Sequence, residues 1–435
     1  MTAFDQFERR LPALLDDLAV TRMPDYADVL LARTAATRQR PGWTFLERWI
    51  PMSALTRRLA AAPQVPLRLA VVFAILVAAA IVGALVAGSF TPHRPAPFGP
   101  AANGQIAYVD GTGRVLVGDP VTGQSKVVVN GGDNNRLAFS PDGSRLAFTR
   151  PAPGGGLDLL VADADGSHLI TITPSAIAAP AFIAWAPRGD QIVAVDVTGT
   201  LLSFDASRKA APTNLSEKLG IGSIQIGSGH DDQTAHVFRP PTGDELLFVS
   251  HSGGTRLQAA RLDGTGVRTL LVPASLGPGY VTLTGAQWSP DGSRVVVMAE
   301  SLDTTSHLFV LDADGGNARP LRGLSSDPRD DQAHPLWSPN GTQIGFQHWY
   351  RHATDAGVDL YPIEVVDLAT GQIHEIGPTL LNGATWAWSP DGLSILELPA
   401  DPPGDGHLLI VNVATGVVTR TSWIMSDLNW QRTAR

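Results

Sequence analysis

A short turn motif recurs along this chain and constrains its fold more than any other feature. In its clearest copy, Trp288-Ser-Pro-Asp-Gly292, an apolar segment ends on the aromatic residue, and Ser-Arg-Val-Val-Val-Met follows the glycine. Proline presets φ at the second turn position, aspartate suits the third, and glycine closes the turn. The β-branched residues after it favour a strand that runs back beside the first. Each copy therefore predicts one hairpin.

The copies are spaced at a nearly constant period. The motif aromatic, or its counterpart in a degraded copy, occurs at Phe139, Trp185, Phe238, Trp288, Trp337, Trp388 and Trp430, at intervals of 42 to 53 residues. A second turn signature, such as Asp312-Ala-Asp-Gly-Gly316, lies inside each period. One period thus holds four short strands, A to D, and a four-stranded unit of roughly 40–50 residues is the repeat of a β-propeller blade.

The first repeat lacks its strand A. Gly104–Val109, Arg114–Val117 and Lys126–Val129 supply strands B, C and D, whereas Asp427-Leu-Asn-Trp430 at the far end of the chain has no repeat of its own. We therefore predict an all-β, seven-bladed propeller in which this C-terminal strand pairs beside Ile106 and closes the ring.

The motif and its Asp-x-Asp-Gly hairpin resemble those of the TolB-type, WD-repeat-like β-propellers of bacteria. The resemblance covers about residues 104–434, and we assign residues 104–435 to this domain. Six blades are common in that family, so seven is a departure that depends on the degenerate repeat around Phe238. Because the motif residues are structural, the resemblance implies a fold and no particular activity.

A membrane span is predicted ahead of the propeller. Leu69–Gly88 carries no charge, and twenty helical residues cross a bilayer core, so we assign residues 67–88 to a transmembrane helix. Arg48, Arg57, Arg58 and Arg68 precede it, and only Arg94 follows it closely. The positive-inside rule places the N-terminus in the cytoplasm, and a proline-rich linker, residues 89–103, leads to the propeller outside the cytoplasmic (inner) membrane.

Residues 1–66 are predicted to form a cytoplasmic helical region with two short amphipathic helices. A small helical module before a membrane span and an extracytoplasmic sensor resembles the layout of bacterial anti-sigma factors. The resemblance implies a cytoplasmic regulatory partner such as a sigma factor. The zinc-binding His/Cys pattern of many such domains is absent, because the chain has no cysteine. The alternative is a cytosolic leader without a partner.

The charge distribution excludes one class of partner. The net charge of the chain is −9. Residues 1–68 contain ten Lys or Arg and seven Asp or Glu, whereas residues 89–435 contain 22 Lys or Arg and 34 Asp or Glu. Nucleic-acid binding needs basic surfaces, so we expect none here. The absence of cysteine also excludes disulfides and thiolate metal sites.

Two acidic segments are the candidate ligand site. Asp231, Asp232 and His236 belong to one, and Asp330, Asp331 and His334 to the other; both are expected to be loops that lead into strand A at the channel mouth. Carboxylates and imidazoles together can hold a cationic ligand or a divalent metal. The alternative is that both loops are solvated and cap turns. The cluster His348-Trp-Tyr-Arg-His352 is expected in a long, exposed B–C connection.

These features predict a non-catalytic binding or sensor module, with no catalytic residue and no resident cofactor, for an extracytoplasmic protein, glycan or small ligand. Its cytoplasmic tail would carry a signal. The alternative is a membrane-anchored, metal-dependent lyase or hydrolase that uses His236 and His334, with a divalent cation at the channel mouth. The chain contains no G-x-S-x-G elbow and no Walker or dinucleotide motif.

Overall fold

The computed structural model describes residues 75–77, 95–177, 180–227, 235–322, 330–350, 361–380, 384–399 and 407–434. The chain divides into two compact units, Met1–Pro92 and His93–Arg435. The predicted helical region 1–66 lies outside the described residues, as does the predicted span except for the helical residues 75–77. Among the described residues, no helix has the length and apolarity needed to cross a membrane.

The second unit is a ring of seven antiparallel sheets with four strands each in the described part of the chain. In each sheet, strand A is innermost and strand D outermost. Sheet one comprises β28 (Asp427–Thr433), β1 (Ala102–Val109), β2 (Val115–Gly118) and β3 (Ser125–Val129). Sheet two comprises β4 (Asn135–Phe139), β5 (Arg145–Pro151), β6 (Leu157–Asp163) and β7 (Ile170–Ile177). Sheet three comprises β8 (Pro180–Trp185), β9 (Gln191–Asp196), β10 (Leu201–Asp205) and β11 (Thr213–Asn214).

Sheets four to seven continue around the ring. They comprise β12 (Ile224–Gln225), β13 (Glu245–Ser250), β14 (Arg256–Arg261), β15 (Arg268–Leu271); β16 (Tyr280–Trp288), β17 (Arg294–Ser301), β18 (Ser306–Asp312), β19 (Arg319–Pro320); β20 (Asp330–Trp337), β21 (Gln343–Tyr350), β22 (Tyr361–Asp367), β23 (Ile373–Leu380); and β24 (Ala384–Trp388), β25 (Ser394–Pro399), β26 (His407–Asn412), β27 (Val418–Ile424). The described helical elements of this unit are α1 (Leu215–Leu219) and two 3-10 turns, Ala235–Val237 and Pro273–Leu276.

The C-terminal strand β28 (Asp427–Thr433) closes the ring as predicted. It pairs with β1, with Trp430 opposite Ile106 and Asp427 opposite Val109. The Trp430 indole N–H also donates to the Gly104 carbonyl at 3.1 Å. The prediction of seven blades is confirmed, including the degenerate repeat around Phe238.

The motif makes the A–B turn by a repeated set of hydrogen bonds. In the copy at Trp288, the Gly292 N–H donates to the Ser289 carbonyl at 2.8 Å, and the Arg294 N–H donates to Ser289 Oγ at 2.9 Å. Gly292 has φ +70°, which glycine adopts without strain. Because strands alternate in direction, the A–B and C–D turns share one face of the ring, the turn face. The D–A and B–C connections share the opposite loop face.

The core lies between neighbouring sheets. Trp288 and Trp337 are at most 1% exposed. The guanidinium of Arg294 lies 5.1 Å from the centre of the Trp337 ring, and Arg239 stands at the same distance over Trp288. The arginine of one blade thus covers the motif aromatic of the next, a contact worth about 0.5–1 kcal/mol where partly exposed.

Sheet four departs from the predicted regular strand A. β12 pairs with the end of β13, while Phe238 makes only an isolated bridge to Leu246. His236 lies in the 3-10 turn Ala235–Val237. Asp231 and Asp232 lie outside the described residues.

Two further segments predicted as loops are strands. Asp330, Asp331 and His334 belong to strand β20 itself. His334 has φ +52°, and the register with β21 shifts between Ala333 and Leu336, so a bulge lets the strand continue through this polar sequence. His348, at the start of the predicted exposed cluster, lies in β21 and is 1% exposed.

Candidate functional site

The acidic segment of sheet six contacts the backbone of sheet five. Asp331 is 2% exposed, and its Oδ1 accepts a hydrogen bond from the Ser306 N–H. Gln332 Oε1 accepts from the Leu308 N–H at 3.3 Å. Strand β19 pairs only with the later part of β18, at Phe309 and Val310. The two side chains therefore occupy the place of a fourth strand along the start of β18, and buried backbone donors there are satisfied.

A buried ionic cluster lies beside this contact. His348 Nδ1 is 2.8 Å from Glu364 Oε1, and Arg322 Nη1 is 3.0 Å from Glu364 Oε2. Glu364 is 7% exposed. The cluster joins β21 and β22 of sheet six to the segment that follows β19, so it holds the sheet five–six interface together. Because Glu364 contacts both Arg322 and His348, the buried carboxylate is compensated from two sides.

The two candidate histidines lie in different settings. His334 is a partly buried bulge residue on β20, three positions before Trp337. His236 lines a cavity at the turn face, and its Nδ1 is 3.4 Å from the Trp288 carbonyl oxygen. In the described part of the chain, no group of three or more His, Asp or Glu side chains is placed to hold a metal ion.

The cavity at the turn face, here named the turn-face basin, lies at the mouth of the central channel. Motif aromatics of five sheets line it: Phe139, Trp185, Trp337, Trp388 and Trp430. The prolines of four motif turns complete the wall: Pro141, Pro290, Pro339 and Pro390. The basin is therefore an aromatic and prolyl surface built from the repeat itself.

The basin also contains residues of the chain that precede β1. Pro97, Phe98 and Gly99, here named the plug segment, are part of its lining, and the free volume is about 100 Å³. The Ala101 N–H donates to the Pro390 carbonyl of sheet seven at 2.9 Å. Phe98 packs against the core between sheets three and four. The plug segment therefore crosses the mouth from one side of the ring towards the other.

Arg432 of β28 binds this segment through its backbone. Its Nη2 donates to the carbonyls of Ala96, at 3.1 Å, and Gly99, at 2.5 Å. Its Nε has no hydrogen-bond partner among the described residues. Burial lowers the pKa of Arg432 to about 10, so the guanidinium is still charged at neutral pH. The Arg432 guanidinium thus joins the last strand, β28, to the residues that precede β1.

Sequence reasoning missed the turn-face basin. Residues 89–103 are predicted to be an extended tether, and the signal against this was Phe98, a large apolar side chain between Pro97 and Gly99. The wall was missed because each motif aromatic was assigned to the packing between blades. That assignment holds for Trp337, which is 1% exposed, but the same ring also reaches the basin.

A larger open groove of about 900 Å³ lies at the turn face among the turns of sheets three, four and five. Its charges are mostly paired. Arg188 lies 3.0 Å from Asp244, and Glu245 lies 3.0 Å from both Arg239 and Arg268. Hydrogen bonding from Arg268 is the main cause that lowers the pKa of Glu245. The groove is a solvent-open, ion-paired surface.

No family model and no curated protein sequence matches this chain. Its fold is similar to many solved structures. The chain is a seven-bladed β-propeller. An oligogalacturonate lyase in complex with manganese shares 14% identity at a TM-score of 0.50, over 75% of this propeller chain and 86% of the lyase. The periplasmic gluconolactonase PpgL of Pseudomonas aeruginosa shares 15% sequence identity with this chain at a TM-score of 0.50. The match covers 76% of this chain and 99% of the gluconolactonase.

TolB from Acinetobacter baumannii is also among the structural neighbours of the propeller, with 16% identity and a TM-score of 0.46 over 77% of this chain and 81% of TolB. At such identities the likeness shows the fold alone. The two neighbours with a TM-score of 0.50 are named as a lyase and a lactonase, so the likeness favours no single activity.

Proposed function

We propose that this chain is a membrane-anchored propeller that binds a protein, glycan or small ligand outside the cytoplasm and does not itself catalyse a reaction. The observation that carries the proposal is that the two mouths of the central channel differ. The chain's own plug segment lies in the turn-face mouth. The loop face, on the opposite side of the ring, is then the face on which we place the ligand.

Ring closure explains why the chain enters at the turn face. The C-terminal β28 takes the innermost position of sheet one, so the first strand after the linker, β1, is a strand B. A strand B starts at the turn face and runs towards the loop face. The chain therefore enters β1 at the turn face, and the loop face lies at the far end of this strand.

The proposed ligand contacts are on the inner strand of sheet six. Asp330 and His334 are at the start and in the bulge of β20. Asp331, with Ser306 as its backbone partner, orients this segment. The carboxylate of Asp330, the first residue of this strand, favours a cationic group on the ligand. The first segment, with Asp231 and Asp232, would contribute from sheet four.

The anchoring half of the proposal is supported by the uncharged run Leu69–Gly88 and by the arginines before it. It is tested with the full chain carrying a C-terminal tag in a bacterial host. We expect the protein in membranes after alkaline extraction, and we expect protease added to intact spheroplasts to digest the tagged propeller. A tag that stays protected, or a protein released by alkali, would refute the anchoring.

The binding half is tested against the enzyme alternative by metal analysis of the purified full chain. We expect no stoichiometric divalent metal, and the same result for the double variant His236→Ala/His334→Ala. Bound metal at one equivalent that disappears in the double variant would overturn the non-catalytic proposal and favour a lyase or hydrolase.

The signalling role assigns residues 1–66 to a cytoplasmic regulatory protein such as a sigma factor. Support comes from the layout of helical module, apolar span and extracytoplasmic sensor in the sequence. A tagged full chain, extracted in mild detergent, should retain this partner, and a chain lacking residues 1–66 should lose it. Recovery of no partner, or of the same partner by both proteins, would remove the signalling role.

A further inference from the structure

The turn-face basin has the surface chemistry of a peptide-binding site, and the chain's own plug segment occupies it. We propose that the basin binds proline-rich peptides that carry a phenylalanine, and that the plug segment competes with them for it. This inference does not depend on membrane anchoring, because every contact that supports it lies within residues 95–434.

The wall of the basin suits a polyproline II ligand. Such a helix has no internal hydrogen bonds and is largely preformed, so it loses little conformational entropy when it docks into an aromatic groove. The present occupant has this composition, since Pro95, Pro97 and Pro100 surround Phe98. Five motif aromatics line the basin and make its wall largely apolar.

Arg432 supplies the polar half of the recognition. The plug segment bends at residues 97–99, and Arg432 binds a backbone carbonyl on each side of Phe98, at Ala96 and Gly99. Its buried Nε is an additional donor with no partner among the described residues. A guanidinium offers five N–H donors in a fixed fork, so it can bind neighbouring carbonyls of one extended peptide.

A peptide can replace the plug segment without disturbing the sheets of the ring. Residues 95–100 belong to no strand, and β1 begins only at Ala102, so their release leaves the sheet pairing of the ring intact. Phe98 is partly buried. The partial burial of one such side chain is comparable to what one docking residue of a weakly binding peptide supplies.

The experiment uses the full chain and a fluorescent peptide with the sequence of residues 94–101. Binding is followed by fluorescence anisotropy. Phe98→Ala, which weakens the internal competitor, should bind the peptide at least tenfold more tightly than the unaltered chain. The control is the same peptide with alanine in place of phenylalanine, which should bind at least tenfold more weakly to Phe98→Ala. Arg432→Lys added to Phe98→Ala should weaken binding several-fold, because lysine lacks the planar fork.

Two results would overturn the proposal. One is a Phe98→Ala protein that keeps its far-ultraviolet circular dichroism and its thermal transition and does not bind the peptide. The other is equal binding of the peptide and its alanine control. If Phe98→Ala does not fold, Phe98→Leu is measured in its place, since leucine retains an apolar side chain without the aromatic ring, and the same two results apply.

Discussion

At the scale of single residues, two acidic side chains buried between sheets behave differently. Asp331 is compensated by the backbone N–H of Ser306. Glu397 of β25 is 0% exposed, and neither of its carboxyl oxygens has a hydrogen-bond partner among the described residues. Its Oε2 would lie 2.8 Å from a Cβ at Gly377, so the glycine makes room for it. Burial raises the pKa of Glu397 to about 8.

This raised pKa predicts a pH dependence of stability. The folded chain holds the Glu397 proton up to about pH 8, whereas the unfolded chain releases it near pH 4.5. The free energy of unfolding should therefore fall as the pH rises between these values, by about 1 kcal/mol per pH unit. In Glu397→Gln this contribution should vanish. The difference in unfolding free energy between the variant and the unaltered chain should therefore shift in favour of the variant as the pH rises from 5 to 8.

The measurement is thermal unfolding at pH 5, 6, 7 and 8. Glu375→Gln, at an exposed position on the neighbouring β23, is the matched control. If Glu397→Gln shows the same pH dependence as the unaltered chain, the buried carboxyl does not hold its proton as described.

At the scale of elements, the A–B turns share one backbone conformation but differ in what surrounds them. Gly292 and Gly341 have φ of +70° and +71°. A Cβ at Gly292 would stand 2.3 Å from the Pro240 carbonyl oxygen of the preceding blade, whereas at Gly341 the nearest atom is 3.5 Å away, on the Pro290 side chain. Gly341 is needed only for the backbone conformation of its turn. Gly292 is needed for that conformation and also because the backbone of the preceding blade lies close to it.

Alanine substitutions at these two positions separate the two requirements. Gly341→Ala should lose about 1 kcal/mol, the cost of a positive φ without glycine. Gly292→Ala should lose at least about 1–3 kcal/mol more, because the backbone of sheet four must move. Denaturant unfolding of both variants gives the comparison, and equal losses would show that the contact at Pro240 yields without resistance.

The elements also show what the sequence could predict. Turn chemistry is local and repeats, so the seven motif aromatics predicted the seven sheets and the pairing of Trp430 beside Ile106. Asp330–His334 was misassigned to a loop because its polarity is typical of one. What keeps it in β20 is non-local: the Asp331 bond to sheet five and the bulge at His334.

At the scale of the whole molecule, the ring depends on a pairing between residues more than 300 positions apart. Seven sheets pack in a circle, so sheet one must contact both sheet two and sheet seven. β28 makes the connection to sheet two through side chains: Asn429 Oδ1 accepts from the Phe139 N–H at 2.9 Å, and Gln431 Nε2 donates to the Gly143 carbonyl at 2.7 Å. The last strand therefore joins its own sheet and the next one.

Removal of β28 should consequently affect more than one sheet. A chain that ends at residue 426 exposes the whole edge of β1 and loses the burial of Leu428 and Trp430, which together contribute about 3–6 kcal/mol. We predict that it loses the single cooperative thermal transition and self-associates through the open edge. A chain that ends at Thr433 retains every β28 pair and should unfold like the unaltered protein. Calorimetry and light scattering decide, and a monomeric, cooperative 1–426 protein would show that sheet one can close on three strands.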